Sequence, residues 1–209
     1  MPVRPSTDRQ TERVRSPPQQ VLFVCTGNIC RSPAAAALLT GGIGDLHVLS
    51  AGTRALAGAP VDLSTAAVLR DGGLDVSAHR ATQLERHHVE QAALVLALTR
   101  EHRTAVVRFV PGAVRRTFTL RELARLVPLV NGSPGAWSAG GVAADPAAPG
   151  ARLLALAERA ALIRRPHPVS PEGDDVADPY GQPRRAHERA VAEISQAVGA
   201  LVEAVRTPA

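Results

Sequence analysis

A short apolar run near the N-terminus ends in a cysteine, and a dense polar loop follows it directly. Residues 21–33 are Val-Leu-Phe-Val-Cys-Thr-Gly-Asn-Ile-Cys-Arg-Ser-Pro. The apolar run predicts a buried strand over 21–25, and the alanine-rich segment after the loop predicts a helix over 33–40. Ser32 is a suitable N-cap for that helix, and Pro33 suits its first position. A strand that passes through a tight loop into a helix is typical of an α/β fold.

The loop between this strand and this helix has the composition of an anion site. Backbone N–H groups and a helix N-terminus that converge on one point attract negative charge. A thiol at Cys25 is expected to ionise there, because nearby positive charge favours the thiolate. The Gly27-Asn28 pair suits positive φ, and the planar guanidinium of Arg31 can hold two oxygens of a tetrahedral oxyanion. These residues predict phosphoryl transfer through a cysteinyl-phosphate. A buried strand cysteine before an ordinary turn is the simpler alternative.

The full string Cys-x-Gly-Asn-x-Cys-Arg-Ser-Pro after an apolar strand resembles the phosphate-binding loop of the low-molecular-weight protein tyrosine phosphatase family. The resemblance extends over roughly residues 20–130 and 174–206, and it includes further motifs at 50–53 and 77–81. It implies a three-layer, Rossmann-like α/β fold with a small parallel sheet of about four strands flanked by helices. It also implies a hydrolase without a cofactor or metal, acting on a phosphotyrosine-containing protein or a small aryl phosphate.

A cysteine phosphatase also needs a general acid for the leaving oxygen, and a carboxylate usually supplies it. Two Asp-Pro dipeptides compete for this role. Asp145 lies in a low-complexity segment, whereas Asp178 is followed by proline and Tyr180 just before the last long helix. The order Asp-Pro-aromatic before a C-terminal helix matches the family's acid loop, so Asp178 is the predicted acid. Asp174 and Asp175 are expected to be solvated turn residues.

The resemblance assigns three catalytic roles: nucleophile for Cys25, phosphate clamp for Arg31 and general acid for Asp178. Two residues outside the loop, Ser50 and His79, are predicted to support the loop in its binding shape, together with two loop residues that also contact phosphate. The residues predicted to bind phosphate or substrate are Thr26, Gly27, Asn28, Ile29, Cys30, Ser32, Leu56 and Tyr180, of which Asn28 and Ser32 belong to the supporting network and Ser32 would donate to the Cys25 thiolate.

Several positions depart from the family's usual pattern. Leu56 stands where the wall of the substrate cleft often carries an aromatic residue, and His187 stands where an aromatic is frequent after the acid loop. Ala36 and Thr99 occupy positions where acids are common. These departures bear on the substrate, because none removes the nucleophile, the clamp or the acid. Ile29 packs better against an aryl ring than the threonine associated in this family with phosphoarginine, so phosphotyrosine is the predicted substrate.

The rest of the chain alternates strand-like and helix-like segments. Residues 1–19 are polar and are predicted to form a disordered tail before one phosphatase-like domain at 20–206. The Ala/Gly/Pro-rich segment 131–173 is predicted to be an insertion, partly disordered, with a helix over 151–165. Trp137, the only tryptophan, is expected to fasten this insertion to the body. Further strands are predicted over 46–51, 92–98 and 115–120, and further helices over 63–72, 83–91, 99–110, 120–127 and 184–205.

Composition argues against several other classes of function. The 2 cysteines both lie in the loop, so neither a disulfide scaffold nor a zinc site is expected. The net charge of +5 is spread among acids without a basic run, so no nucleic-acid partner is expected. The apolar runs are too short to span a bilayer and no secretory signal is visible, so a cytoplasmic protein is expected. The oligomeric state stays open.

Two other functions stay open as well. An arsenate reductase uses a similar loop because arsenate mimics phosphate, but thioredoxin-linked reductases of this shape need a cysteine pair beyond the loop. No cysteine follows Cys30. A non-catalytic phosphoprotein- or anion-binding module could keep the loop without turnover. Cys30 itself is either a small packed residue or the partner of Cys25 in a reversible, protective disulfide.

Overall fold

The computed structural model describes residues 19–131, 148–164 and 173–206. The predicted tail up to residue 18, Trp137 and the two ends of the predicted insertion lie outside these ranges. In chain order the described residues form β1 (Gln20–Cys25), α1 (Arg31–Gly42), β2 (His47–Gly52), α2 (Leu63–Asp71), α3 (Arg86–Gln91), β3 (Leu94–Ala97), α4 (Arg100–Phe109), a 3₁₀ helix (Pro111–Arg116), β4 (Thr117–Thr119), α5 (Leu120–Asn131), α6 (Pro149–Ile163) and α7 (Arg184–Arg206).

The strands form one parallel sheet in the order β2-β1-β3-β4. Residues of the central β1 alternate between two apolar layers. Val21 and Phe23 pack towards α1, α5, α6 and α7, whereas Leu22 and Val24 pack towards α3 and α4. The predicted three-layer α/β fold is therefore confirmed. Parallel strands end at one shared edge, so β1 delivers Cys25 to the edge at which ligands bind in open α/β sheets.

No helix of the described ranges is long and apolar enough to cross a membrane.

Two predicted helix starts are wrong, each for a local reason. The first helix starts at Arg31 with Cys30 as its N-cap, so Ser32 lies inside the first turn and does not cap it. Its hydroxyl contacts loop side chains instead. The helix predicted over 83–91 begins only at Arg86, because Gln83 forms an isolated parallel bridge with Gly52 at the end of β2.

The region around β4 also differs from its prediction. Residues 115–116 close the 3₁₀ helix that begins at Pro111, which leaves β4 only the span Thr117–Thr119. The helix after β4 runs beyond residue 127 to Asn131 and contains Pro128. The missing hydrogen bond at the proline is tolerated because the helix buries an apolar face on both sides of it, formed by Leu123, Leu126, Val127 and Val130.

The predicted helix of segment 131–173 is present and belongs to the core. α6 packs against both α5 and α7 and buries Leu153 and Leu156, which are 0% and 1% exposed. Its N-terminus is fixed by Asp45, whose carboxylate accepts from the Gly150 N–H at 3.0 Å. Past its C-terminus, the guanidinium of Arg164 pairs with Glu122 at 2.7 Å. The helix is thus a structural part of the domain, whereas the insertion itself stays a prediction.

Replacing Leu156 by alanine tests this role of α6. Leu156→Ala is expected to lower the free energy of unfolding by about 2–5 kcal/mol, because it removes a buried side chain and leaves a cavity. Leu162→Ala is the control on the same helix, since Leu162 is 69% exposed and its loss should cost no more than about 0.5 kcal/mol. Urea unfolding measures both, and equal small effects would show that α6 does not contribute to the core.

Candidate active site

The loop after β1 is held in shape by the segment that follows β2. Loop carbonyls point outward and accept hydrogen bonds from backbone N–H groups of residues 53–62 at 2.8–3.0 Å. Outward carbonyls leave the loop's amide hydrogens facing its centre, which makes a cradle for an anion. The pairs are Thr53 N with Cys25 O, Arg54 N with Thr26 O, Leu56 N with Gly27 O, and Asp62 N with Ile29 O.

Asn28 fixes the loop through its backbone and its side chain. Its φ is 56°, as predicted for this residue, whereas no positive φ occurs at the neighbouring glycine. The buried side chain donates to Ser32 Oγ and Ser50 Oγ at 2.9 Å each, and its Oδ1 accepts from Thr82 N at 2.7 Å. His79 Nε2 donates to Asn28 O at 2.8 Å, and burial lowers the pKa of His79. Asn28 therefore contacts each of the other three residues of the predicted network.

Cys25 lies at the bottom of the cradle and is 2% exposed. Its Sγ is 2.9 Å from Ser32 Oγ, and the backbone N–H of Asn28 points at the sulfur from 3.3 Å. Because Ser32 Oγ already accepts from Asn28 Nδ2, its own hydrogen is available for the sulfur. Two hydrogen-bond donors therefore point at the sulfur, an arrangement suited to a thiolate as the acceptor.

Arg31 is buried beside the loop with its guanidinium turned towards the acid loop. Nη2 pairs with Asp178 Oδ2 at 2.6 Å, and Nη1 donates to Val176 O at 3.1 Å. Nε is buried and has no hydrogen-bond partner among the described residues. Buried donors are nearly always satisfied in folded proteins. The Nε–H of Arg31 is therefore available to donate a hydrogen bond to a bound ligand.

Asp178 reaches this place because the segment before it is tied to the sheet edge. Val176 N donates to Leu98 O at 2.9 Å just after β3, and Asp175 accepts from Arg100 N at 2.7 Å. Asp174 is only 5% exposed, and burial raises its pKa. The prediction of solvated turn residues is wrong here, because Asp174 is buried and Asp175 holds α4 against the acid loop.

A cleft of about 190 Å³ opens beside the thiol. Arg54 lines it and was not predicted, because nothing distinguishes this residue in the sequence from the other arginines. Asn28 and Ser32 are fully buried, so they support the loop from behind instead of facing a substrate. The predicted residues that line the cleft are Cys25, Thr26, Gly27, Ile29, Cys30, Arg31, Leu56, Asp178 and Tyr180.

A second buried histidine braces the loop from the other side. His102 Nε2 lies 2.8 Å from Thr26 Oγ1, and its Nδ1 lies 2.8 Å from Thr99 Oγ1. Burial, reinforced by the charge of Arg31, lowers the pKa of His102 to about 4. The imidazole is therefore neutral at pH 7 and bridges the loop to the start of α4. Thr99, one of the sequence departures, thus takes part in loop support.

Cys30 and His187 meet on the inner side of the loop. Burial raises the pKa of the Cys30 thiol to about 12, so Cys30 is protonated at neutral pH. Both cysteines are free thiols. His187 is 2% exposed, and its Nδ1 lies 2.8 Å from Thr65 Oγ1 and 3.5 Å from Asp62 Oδ1. His187 does not line the cleft, so this departure acts on the loop's surroundings rather than directly on a substrate.

The sheet edge thus combines a cysteine in an amide cradle, a buried arginine and a carboxylate, which is the arrangement of a cysteine-dependent phosphatase. Residues 20–127 match the family model described as low molecular weight phosphotyrosine protein phosphatase. A protein-arginine-phosphatase of Geobacillus stearothermophilus is 31% identical over 191 residues, covering 91% of this chain and 98% of that protein. A probable low molecular weight protein-tyrosine-phosphatase, EpsP, of Ralstonia solanacearum is 40% identical over 103 residues, 49% of this chain and 71% of that protein.

Solved structures agree with these matches. The YwlE arginine phosphatase from Geobacillus stearothermophilus superposes with a TM-score of 0.63 at 29% identity, covering 90% of this chain and 94% of that one. A low molecular weight protein tyrosine phosphatase from T. tengcongensis gives a TM-score of 0.61 at 28% identity, covering 88% and 98%. The chain belongs to the low molecular weight phosphotyrosine protein phosphatase family, as its loop motif predicted.

The depressed pKa of His102 predicts a pH-dependent stability. Between about pH 6.5 and pH 4 the unfolded chain binds a proton at this residue that the folded protein does not bind, so stability falls as the pH is lowered through this range. Over this pH range, His102 accounts for a fall in the free energy of unfolding on the order of 3 kcal/mol. Urea unfolding at pH 7.5 and 4.5 should show a smaller loss in His102→Gln than in the wild type. Equal losses would contradict the prediction, since the two proteins differ only at this residue.

Proposed function

We propose that the protein is a protein-tyrosine phosphatase, a cysteine-dependent phosphomonoesterase that acts through a cysteinyl-phosphate. The observation that carries this proposal is the unsatisfied donor of the buried Arg31 next to the amide cradle of Cys25. A phosphoryl group seated on Cys25 would accept from the guanidinium and the loop amides together. These fixed donors would stabilise the charge that develops on the equatorial oxygens during transfer.

The first chemical step uses all three predicted catalytic residues. Arg31 exchanges Asp178 for phosphate oxygens when the substrate enters. Cys25 Sγ then attacks phosphorus, and the bond from phosphorus to the leaving oxygen breaks. The protonated form of Asp178 gives its proton to this oxygen, so that a neutral alcohol or phenol leaves. The phosphoryl group stays covalently bound to the sulfur.

The second step returns the enzyme to its starting state. Asp178, now ionised, takes a proton from a water molecule that attacks phosphorus. The phosphorus–sulfur bond breaks, inorganic phosphate leaves and Cys25 is again a thiolate. This route needs neither a metal ion nor a cofactor, because the nucleophile, the clamp and the acid are all side chains of this chain.

Two substitutions test the covalent route with aryl phosphates under reducing conditions. Cys25→Ser should abolish turnover, and Asp178→Asn should lower kcat by roughly 10²–10⁴-fold because the leaving oxygen is no longer protonated. The loss in Asp178→Asn should be larger for phenyl phosphate than for p-nitrophenyl phosphate, since the nitrophenolate leaves without help.

Asp75→Asn is the matched control, because Asp75 is exposed and accepts a local hydrogen bond from Ser77 that asparagine preserves. Its activity should equal that of the wild type. Freshly reduced wild-type protein without turnover would instead support the non-catalytic anion-binding module. Arsenate-dependent oxidation of a thiol reductant would support the arsenate reductase, although the chain has no cysteine beyond Cys30 to relay electrons.

The walls of the cleft favour an aromatic leaving group. Ile29 is 7% exposed and packs with Cys30 and Ala81, so its apolar side is fixed at the cleft. Leu56 and Tyr180 are 46% and 57% exposed and line the same cleft. An aryl ring between these side chains would gain apolar contact and, with Tyr180, about 0.5–1.5 kcal/mol of ring contact. We therefore infer that the substrate is a phosphotyrosine-containing protein or a small aryl phosphate. The cytoplasmic location stays a prediction.

Phosphoarginine is the second candidate substrate, because the relative that matches nearly its whole length is named a protein-arginine-phosphatase. Wild-type protein is expected to show a higher kcat/KM for a phosphotyrosine peptide than for a phosphoarginine peptide of the same sequence. Ile29→Thr should lower the ratio of kcat/KM for phosphotyrosine to kcat/KM for phosphoarginine, because it places a hydroxyl near the substrate's guanidinium. Ile29→Val is the control and should leave this ratio unchanged, because valine has the shape of threonine without its hydroxyl. A wild-type preference for phosphoarginine would contradict the proposed phosphotyrosine substrate but would leave the proposed covalent mechanism intact.

A further inference from the structure

A largely buried cluster of side chains that are able to bind a metal ion lies beside the phosphate loop and includes one residue of that loop. Cys30 comes from the loop, Asp62 from the N-cap of α2 and His187 from the first turns of α7. One ligand atom of each residue lies within 4.8 Å of those of the other two. Asp62 Oδ1 and His187 Nδ1 are 3.5 Å apart. None of the three has a role in the proposed catalytic steps.

The spacing fits a tetrahedral metal ion. Zinc bonds to sulfur, nitrogen and oxygen of about 2.0–2.3 Å hold the ligand atoms roughly 3.4–3.6 Å apart. The Asp62–His187 distance of 3.5 Å already has this value. The Cys30 sulfur lies within 4.8 Å of both partners, so a movement of about an ångström closes the set. Thr65 Oγ1 is 2.8 Å from His187 Nδ1 and contacts the Cys30 thiol, so a hydroxyl borders the same space.

The chemistry of the donors selects the class of metal. A thiolate, an imidazole and a carboxylate suit zinc, whereas magnesium and calcium require oxygen ligands. Cys30 and His187 are 4% and 2% exposed, whereas the Asp62 side chain is 24% exposed, so the cluster is largely shielded from solvent. We propose that Cys30, Asp62 and His187 form a zinc-binding site that joins the phosphate loop to α2 and α7.

Binding at this site would leave the catalytic groups in place. The ion displaces the proton of the Cys30 thiol to solvent and takes Nδ1 of His187 from Thr65, while Cys25, Arg31 and Asp178 are not ligands. Because the three ligands come together only in the folded protein, zinc binding stabilises the folded state by mass action. The site is therefore a brace of the loop and not a catalytic metal centre.

The test uses the full chain, reduced and metal-free, with Co²⁺ as a spectroscopic substitute and Zn²⁺ for affinity. The chain has 2 cysteines, so a thiolate–cobalt charge-transfer band in the Cys25→Ser variant can come only from Cys30. We expect this variant to bind one equivalent of Zn²⁺ in competition with a chromophoric chelator, with a rise in Tm. Loss of the band in Cys25→Ser would place the metal on the catalytic thiol and overturn the proposal.

Two ligand variants and one control complete the test in the Cys25→Ser background. His187→Phe and Asp62→Asn should each weaken Zn²⁺ binding by at least about tenfold. Phenylalanine fills the space of the imidazole, and asparagine keeps the N-cap of α2. Circular dichroism of the metal-free variants confirms that they fold, and Asp62→Asn decides the outcome if His187→Phe does not fold.

His87→Phe is the matched control, because the exposed His87 ring lies 4.0 Å from that of His88 and could bind metal at the surface. Its affinity should equal that of the Cys25→Ser parent. A loss in His87→Phe with unchanged affinity in His187→Phe and Asp62→Asn would assign the metal to the surface pair. That result, or the binding of no equivalent at all, would overturn the buried site.

Discussion

The outward turn of the loop carbonyls is the constraint on which the rest of the site depends. Each carbonyl that pairs with residues 53–62 commits a neighbouring amide to the inside of the loop, where the sulfur lies. The reversal of the chain requires the left-handed backbone of Asn28, and the pairing requires close approach of β2's end. A Cβ at Gly52 would overlap the carbonyl oxygen of Thr26, so only glycine fits there. The shape of the loop therefore depends on the end of β2 as well as on the loop's own residues.

The clamp and the acid are linked by the cost of burying a charge. An ionised guanidinium taken out of water must be paired, or its burial is strongly unfavourable. In the free protein Arg31 meets this requirement with Asp178 and the carbonyl of Val176. The same contacts hold the acid loop at the cleft, which Asp178 and Cys25 both line. The site is therefore assembled before a substrate arrives, and a phosphate needs only to exchange partners with Asp178.

Sequence reasoning succeeded where chemistry is concentrated in consecutive residues and failed where it depends on tertiary approach. The strand, the cysteine loop and the Asp-Pro-Tyr motif are local patterns, and they predicted the family and the central architecture. His102 could not be predicted, because its partner Thr26 is distant in the chain and nothing in the sequence of α4 marks it. The burial of Asp174 could not be predicted, because it follows from docking against α4 and α5. The number of cysteines likewise could not indicate that His187 and Asp62 lie beside Cys30.

The nucleophile loop and the acid are built by different parts of the chain. The loop carbonyls accept hydrogen bonds from residues 53–62 and from His79, whereas the acid loop pairs with Leu98, Arg100 and Arg31. Contacts between nearby segments cost less chain entropy to close than contacts between distant ones. The contacts that shape the cradle therefore cost less chain entropy than the contact of Arg31 with Asp178, which lies 147 residues further along the chain. Anion binding and proton transfer thus depend on hydrogen bonds from separate segments of the chain.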